Sequence, residues 1–267
     1  MMRTLSRRLA MAGALMTVLA ACGDTPTAPA SDPAELANAD VATVAGDQTF
    51  EDVAAMRHHQ GLFGPLPGPL PRFGAWSDDC TFDGATESFV CPSRTHNGFT
   101  HTRSYRLFDE AGSPQSAYDP VTTASATFTS AMSGSATHDA FSATFTRQRT
   151  FTVSGLEGDE TTHTWNGTGT ATHSRTHHGD GSLTRSYAMT SSTTVTSVVL
   201  PFPQSPGSWP LSGTIVRQVS FTRDGAGPGR AGTRTVTVTF NGTQFVPMMV
   251  NQRAFTLDLA TGRPVRD

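Results

Sequence analysis

Phe141-Ser142-Ala143-Thr144-Phe145-Thr146-Arg147-Gln148-Arg149-Thr150-Phe151-Thr152-Val153 alternates apolar and polar residues on either side of Arg147 to Arg149. Phe141, Ala143, Phe145, Phe151 and Val153 fall on one side, and Ser142, Thr144, Thr146, Gln148, Thr150 and Thr152 on the other. A period of two is that of a half-buried β-strand, because successive side chains of a pleated chain point to opposite faces. Arg147 and Arg149 interrupt the apolar side. The polar side is mostly threonine, whose branched Cβ suits a pleated, wet surface. The 267-residue chain holds about forty threonines.

Working outward, the same alternation runs through Phe99 to Phe108, Val121 to Met132, Thr161 to His177, Leu183 to Leu200 and Gly213 to Arg223. It continues through Thr233 to Phe240, Thr243 to Val250 and Arg253 to Leu259. Gly179-Asp180-Gly181 and Asn251-Gln252 stand where hairpins should turn, and Asp224 to Gly232 reads as a longer glycine-rich loop. Consecutive hairpins make an all-β antiparallel up-and-down meander over residues 76–267. Ribbons of this length twist, so a strongly curved sheet or half-barrel is expected, with Gly167 and Gly169 as bend points. Turning at 178 to 182 sets Trp165 near Val195 and Ala171 near Met189. No fixed repeat period runs through the segments, which disfavours a propeller or solenoid.

Cys80 and Cys91 bracket a short hairpin. If the two face each other, the same register sets Phe82 opposite Phe89 and leaves the turn within Gly84 to Glu87. A disulfide is therefore expected. Redox catalysis prefers a Cys-x-x-Cys spacing, and zinc would require two further ligands.

The chain begins with three arginines (Arg3, Arg7, Arg8) followed by an apolar run from Leu9 to Ala21, the pattern of a secretory signal. Its end, Leu19-Ala20-Ala21-Cys22-Gly23, resembles the lipobox of bacterial lipoproteins, over these 23 residues only. The resemblance implies acylation of Cys22, palmitate among its chains, and removal of residues 1–21. Gly23 stands where many Gram-negative lipoproteins carry an inner-membrane retention Asp, so the implied location is the outer membrane, facing the periplasm or the surface. Removing residues 1–21 leaves 16 arginines against 22 acids, a formal charge of −6. That sign gives no attraction to an anionic bilayer, so attachment would rest on the acyl chains.

Residues 22–47 are rich in Ala, Thr, Pro and Asp and read as a flexible tether. Residues 48–75 hold two turns of helix over Thr49 to Arg57, capped by Thr49 or Asp47, then an extended connector from Pro65 to Pro71. Phe50, Val53 and Trp76 are candidates to plug one face of the sheet.

All 19 basic residues are arginine and are scattered, which excludes a phosphate-backbone footprint and hence a nucleic-acid partner. Histidines are plentiful, but His163, His173 and His177 are too far apart along a strand to share one ion, and His178 and Asp180 sit in a turn. No metal or other cofactor is expected. Nor does a nucleophile elbow appear. The threonine ladders, such as Thr168, Thr170 and Thr172, resemble ice-binding or adhesin surfaces, which need a flat array that twisted strands would not supply.

These readings lead to a lipid-anchored envelope protein without catalytic activity. One sheet face, carrying Phe141, Phe145, Phe151, Trp165, Val219 and Phe221, would meet an apolar ligand or a partner protein of the envelope, or would simply be core. The alternative is a surface adhesion or assembly module using edge strands and threonine-rich faces. A hydrolase with an unrecognised site is the third reading.

Overall fold

The computed structural model describes residues 33–60, 80–96, 98–138, 141–158, 160–177, 185–205, 207–225 and 227–266. Cys22 with the signal segment, the Pro65 to Pro71 connector, Trp76, His178 and the Gly179-Asp180-Gly181 turn lie outside them.

One helix, α1 (Pro33–Gln60), precedes an antiparallel sheet. Its strands are β1 (Thr81–Asp83), β2 (Ser88–His96), β3 (Phe99–Phe108), β4 (Pro114–Gln115), β5 (Ser125–His138), β6 (Phe141–Ser154) and β7 (Thr162–His177). They continue as β8 (Arg185–Pro201), β9 (Ser212–Gly225), β10 (Gly227–Thr239), β11 (Phe245–Val250), β12 (Arg253–Asp258) and β13 (Arg263–Arg266). Each strand pairs with the next in sequence, except that the short β4 adds to β3 while β3 pairs with β5. The meander expected from the alternation is present.

The expected strong curvature is not. The sheet is open, with β1 and β13 at its opposite ends, and is neither tightly curled nor closed. A half-barrel would fold the apolar face onto itself; here α1 supplies a second layer for that face instead. Val41, Ala42, Ala45, Val53 and Met56 of the helix join one core with Phe151, Trp165, Val195, Val219, Val236 and Leu257 of the sheet.

The helix is also longer than its sequence signals. It starts at Pro33, inside the stretch expected to be a tether, rather than at Asp47 or Thr49. Proline is at home in the first helical position, and Ala34, Ala37, Ala39, Ala42 and Ala45 favour helix intrinsically. Its buried stripe includes Gln48, Thr49 and Asp52 among the apolar residues, so it lacks the apolar periodicity by which a helix is recognised. Small residues let it lie close to the sheet: a Cβ on Gly46 would overlap the Gly262 carbonyl oxygen. Val53 is buried, and Phe50 packs against Gly262.

Register departs from expectation in one hairpin. Ala171 lies opposite Ser191 and His173 opposite Met189, while Trp165 meets Val198 and Gly167 meets Val195. From Gly167 to His177 the offset of two residues keeps side chains on their expected faces, as a period of two requires, but Trp165 is displaced by three, and beyond it Val198 and Leu200 take the buried face. Near Trp165 the ladder also shifts at a bulge, where Ser197 adopts φ 48° and donates its backbone N–H to Asn166 Oδ1 at 2.8 Å. Gly167 is less a bend point than a seat for a ring, since a Cβ there would run into Phe151 and the Thr150 carbonyl oxygen. The glycine-rich loop expected over Asp224 to Gly232 is mostly strand, with β9 ending at Gly225 and β10 starting at Gly227.

The first hairpin follows its expected register. Phe82 faces Phe89, β1 ends at Asp83 and β2 begins at Ser88. Cys80 and Cys91 form a disulfide with a Cα–Cα distance of 4.0 Å. An aromatic row extends from it across the sheet: Phe82 to Phe89 (5.2 Å between centroids), Phe89 to Tyr105 (4.5 Å) and Tyr105 to Phe128 (5.8 Å).

Candidate binding face

The two faces of the sheet differ in chemistry, and α1 covers only one of them. On the covered face, Phe151, Trp165, Val219 and Phe221 are buried core. Phe145 is half-buried, edge-on to His173, with the Arg147 guanidinium over its ring. The backbone of Phe141 pairs with His138 and His177; its side chain lies outside the described residues. Four of the six residues expected to line an apolar binding face are thus packed beneath the helix or among their neighbours.

The covered face also holds a charged cluster. Arg147 and Arg149 of β6 and Arg217 of β9 point inward and meet Glu51 and Asp52 of α1. Arg217 donates from Nη1 to Thr193 Oγ1 at 2.5 Å and from Nη2 to Asp52 Oδ2. Burial, and then the neighbouring guanidiniums, pull Arg147 below the ordinary arginine range. Arg149 is lowered by burial, which the Asp52 carboxylate opposes. His101 is pushed down to about 4 by burial and by the charges of Arg103 and Arg149, so it is neutral at pH 7. The sequence did carry a signal for this cluster, two arginines at inward positions of a strand, but their partners sit on a helix almost a hundred residues away.

The histidines are dispersed. His163 is buried and stacked on Phe202 at 4.3 Å between centroids, its pKa pushed down to about 4 by burial. Among the described residues no three His, Cys, Asp or Glu side chains converge as a metal site would require.

The uncovered face is a lattice of hydroxyls. Thr95, Thr100, Ser133, Thr146, Thr172, Thr190, Ser220 and Thr233 are successive cross-strand partners and form one unbroken row from β2 to β10. All are exposed except the half-buried Thr100. Neighbouring rows add Thr102, Gln148, Thr170, Ser192, Gln218 and Thr235 on one side and Thr144 with Ser174 on the other. Rows lie about 6.8 Å apart along the strands and columns about 4.8 Å apart across them. Some hydroxyls bond one another, as Thr144 to Ser174 (2.6 Å), Thr127 to Thr152 (3.0 Å) and Thr146 to Thr172. In each such pair one hydroxyl donates, which leaves the other's O–H and several lone pairs facing outward.

Over β3, β5, β6 and β7 this face sinks into a trough of about 340 Å3. Thr100, Thr102, Ser133, Thr146, Gln148, Thr170 and Thr172 line it, with Ala131, Met132, Ala171 and Arg147. The Arg147 guanidinium turns to the opposite face, where it pairs with Glu51. The trough is therefore neutral and polar. Compared with known proteins, the chain matches no family, no curated protein and no solved structure.

Proposed function

We propose that this chain is a non-catalytic, lipid-anchored envelope protein of the outer membrane that adheres through its hydroxyl face to neutral, polyhydroxylated polymers. The anchor is supported by the resemblance of Leu19 to Gly23 to a lipobox. The observation that carries the adhesive role is the row from Thr95 to Thr233, together with the trough it crosses. These rows of hydroxyl and amide groups, which carry no charged side chain, match a sugar chain of the same character. The trough's size is that of a small-ligand site, which suits a strand of polymer laid along it better than a flat crystal face. No aromatic side chain stands in these rows, so each engagement is weak and affinity arises by repetition along the polymer.

Two features favour the face over the edges. The terminal strands β1 and β13 have 3 and 4 residues, too short to template addition of a long strand. Part of the apolar face is packed against α1, with Phe151, Trp165 and Phe221 buried in the common core.

Co-sedimentation of the purified full chain with insoluble cellulose and cross-linked dextran tests the adhesive role. Retention of the protein is expected, with loss of retention in the triple variant Thr146→Glu, Thr170→Glu, Thr172→Glu at an unchanged unfolding midpoint. Equal retention of protein and variant, or none of either, overturns it. For the anchor, Cys22→Ser should move the protein from the membrane to the soluble fraction of cells; unchanged fractionation overturns that part.

A further inference from the structure

The charges between α1 and the sheet do not balance. Three guanidiniums, those of Arg147, Arg149 and Arg217, face two carboxylates, those of Glu51 and Asp52, among the described residues. Arg217 is 3% exposed, and its Nε–H finds no acceptor there; Arg149 Nη2 lies against Asp52 Oδ1 without the geometry of a hydrogen bond. An excess positive charge with unsatisfied donors, out of water, is expensive unless something negative compensates it. Between these side chains lies a cavity of about 10 Å3, lined by Arg147, Arg149, Arg217, Asp52, Gln48 and Thr193 among others.

We infer that this cavity is a site for a single monatomic anion of the halide class, hydrogen-bonded by Arg217 Nε and set between the guanidiniums of Arg149 and Arg217 beneath α1. The volume is about that of one water-sized sphere, which favours a monatomic ion over sulfate, phosphate or a carboxylate. A water molecule would satisfy the donors but not the charge. Because the groups that hold the ion come from β6 and β9, and the two carboxylates they also bind come from α1, the anion fastens the helix to the sheet. It thereby stabilises the folded state by mass action.

The test is the thermal unfolding midpoint of the purified full chain at constant ionic strength, with sodium gluconate replaced stepwise by sodium chloride or bromide. A saturable rise of about 2 to 4 °C with either halide is expected. Identical midpoints in all three salts, or a rise that does not saturate, overturns the site. Arg217→Met leaves two guanidiniums against two carboxylates and should abolish the halide dependence; if it retains the full rise, the assignment is wrong. Should that variant not fold, crystals of the unaltered protein grown in bromide decide the matter. An anomalous peak within hydrogen-bonding distance of Arg217 Nε is expected, and its absence overturns the proposal.

Discussion

Arg217 of β9 and Asp52 of α1, 165 residues apart in the chain, form a hydrogen-bonded ion pair in which both side chains are almost fully buried. The pair ties the helix to the middle of the sheet's covered face. Asp52 also meets Arg149, so one carboxylate serves two guanidiniums. Removing it leaves both largely buried guanidiniums without that carboxylate. Asp52→Ala is expected to cost about 3 to 5 kcal/mol of unfolding free energy, measured by urea denaturation. Replacing the group together, Asp52→Leu with Arg149→Met and Arg217→Met, should restore much of that loss, because the apolar replacements need no desolvated partner. A cost below about 1 kcal/mol for the single variant would show that the pair is not formed.

Gly46 lies in mid-helix, where alanine is intrinsically better by about 1 kcal/mol. Gly46→Ala is nevertheless expected to lower the unfolding midpoint, since the added Cβ would overlap the Gly262 carbonyl oxygen in the turn between β12 and β13. Backbone does not yield as a flexible side chain does. A raised midpoint would mean that the helix sits farther from the sheet.

Acid should loosen the fold through His163. Its pKa falls from 6.5 in the unfolded chain to about 4 in the fold, because burial disfavours the charged ring. Between those values the unfolded state binds more protons, so stability is full above about pH 6.5 and declines as pH falls toward 4. The loss from this one group is up to about 3 kcal/mol. His101, held at about 4 by burial and by Arg103 and Arg149, acts in the same direction and the same window. His163→Phe should flatten part of the pH dependence of the unfolding free energy between pH 4 and 6.5. An unchanged slope would contradict the assignment.

Breaking the Cys80–Cys91 disulfide with Cys80→Ser and Cys91→Ser is expected to cost about 2 to 3 kcal/mol, chiefly by freeing the unfolded chain. Chemical denaturation measures it. The loss should be insensitive to reductant in the variant and reproduced by reductant in the unaltered protein.

The hydroxyl face, by contrast, should tolerate change. Thr170 is exposed and has open solvent before it, so Thr170→Glu is expected to shift the unfolding free energy by less than about 0.5 kcal/mol. A larger loss would assign that row to holding the sheet together.

Period-two alternation, short turn-forming connectors and a cysteine pair in matching register are local properties. They alone determined the antiparallel meander, the bounds of β3 from Phe99 to Phe108, the turn after Val250 and the Cys80–Cys91 hairpin. They also sorted side chains between the two faces, and that survived where the β7 to β8 register moved by two residues, up to the bulge beside Trp165, past which Val198 and Leu200 turn inward. Everything decided by a distant partner was beyond them. The reach of α1 back to Pro33 depends on a stripe of Val41, Ala45, Gln48, Asp52 and Met56, and its polar members become intelligible only against Ser191, Arg149 and Arg217 of the sheet. Whether the sheet curls is settled by what covers its apolar face, and the covering is a helix from the other end of the chain. Local periodicity records which way a side chain points; only tertiary packing supplies what it meets there.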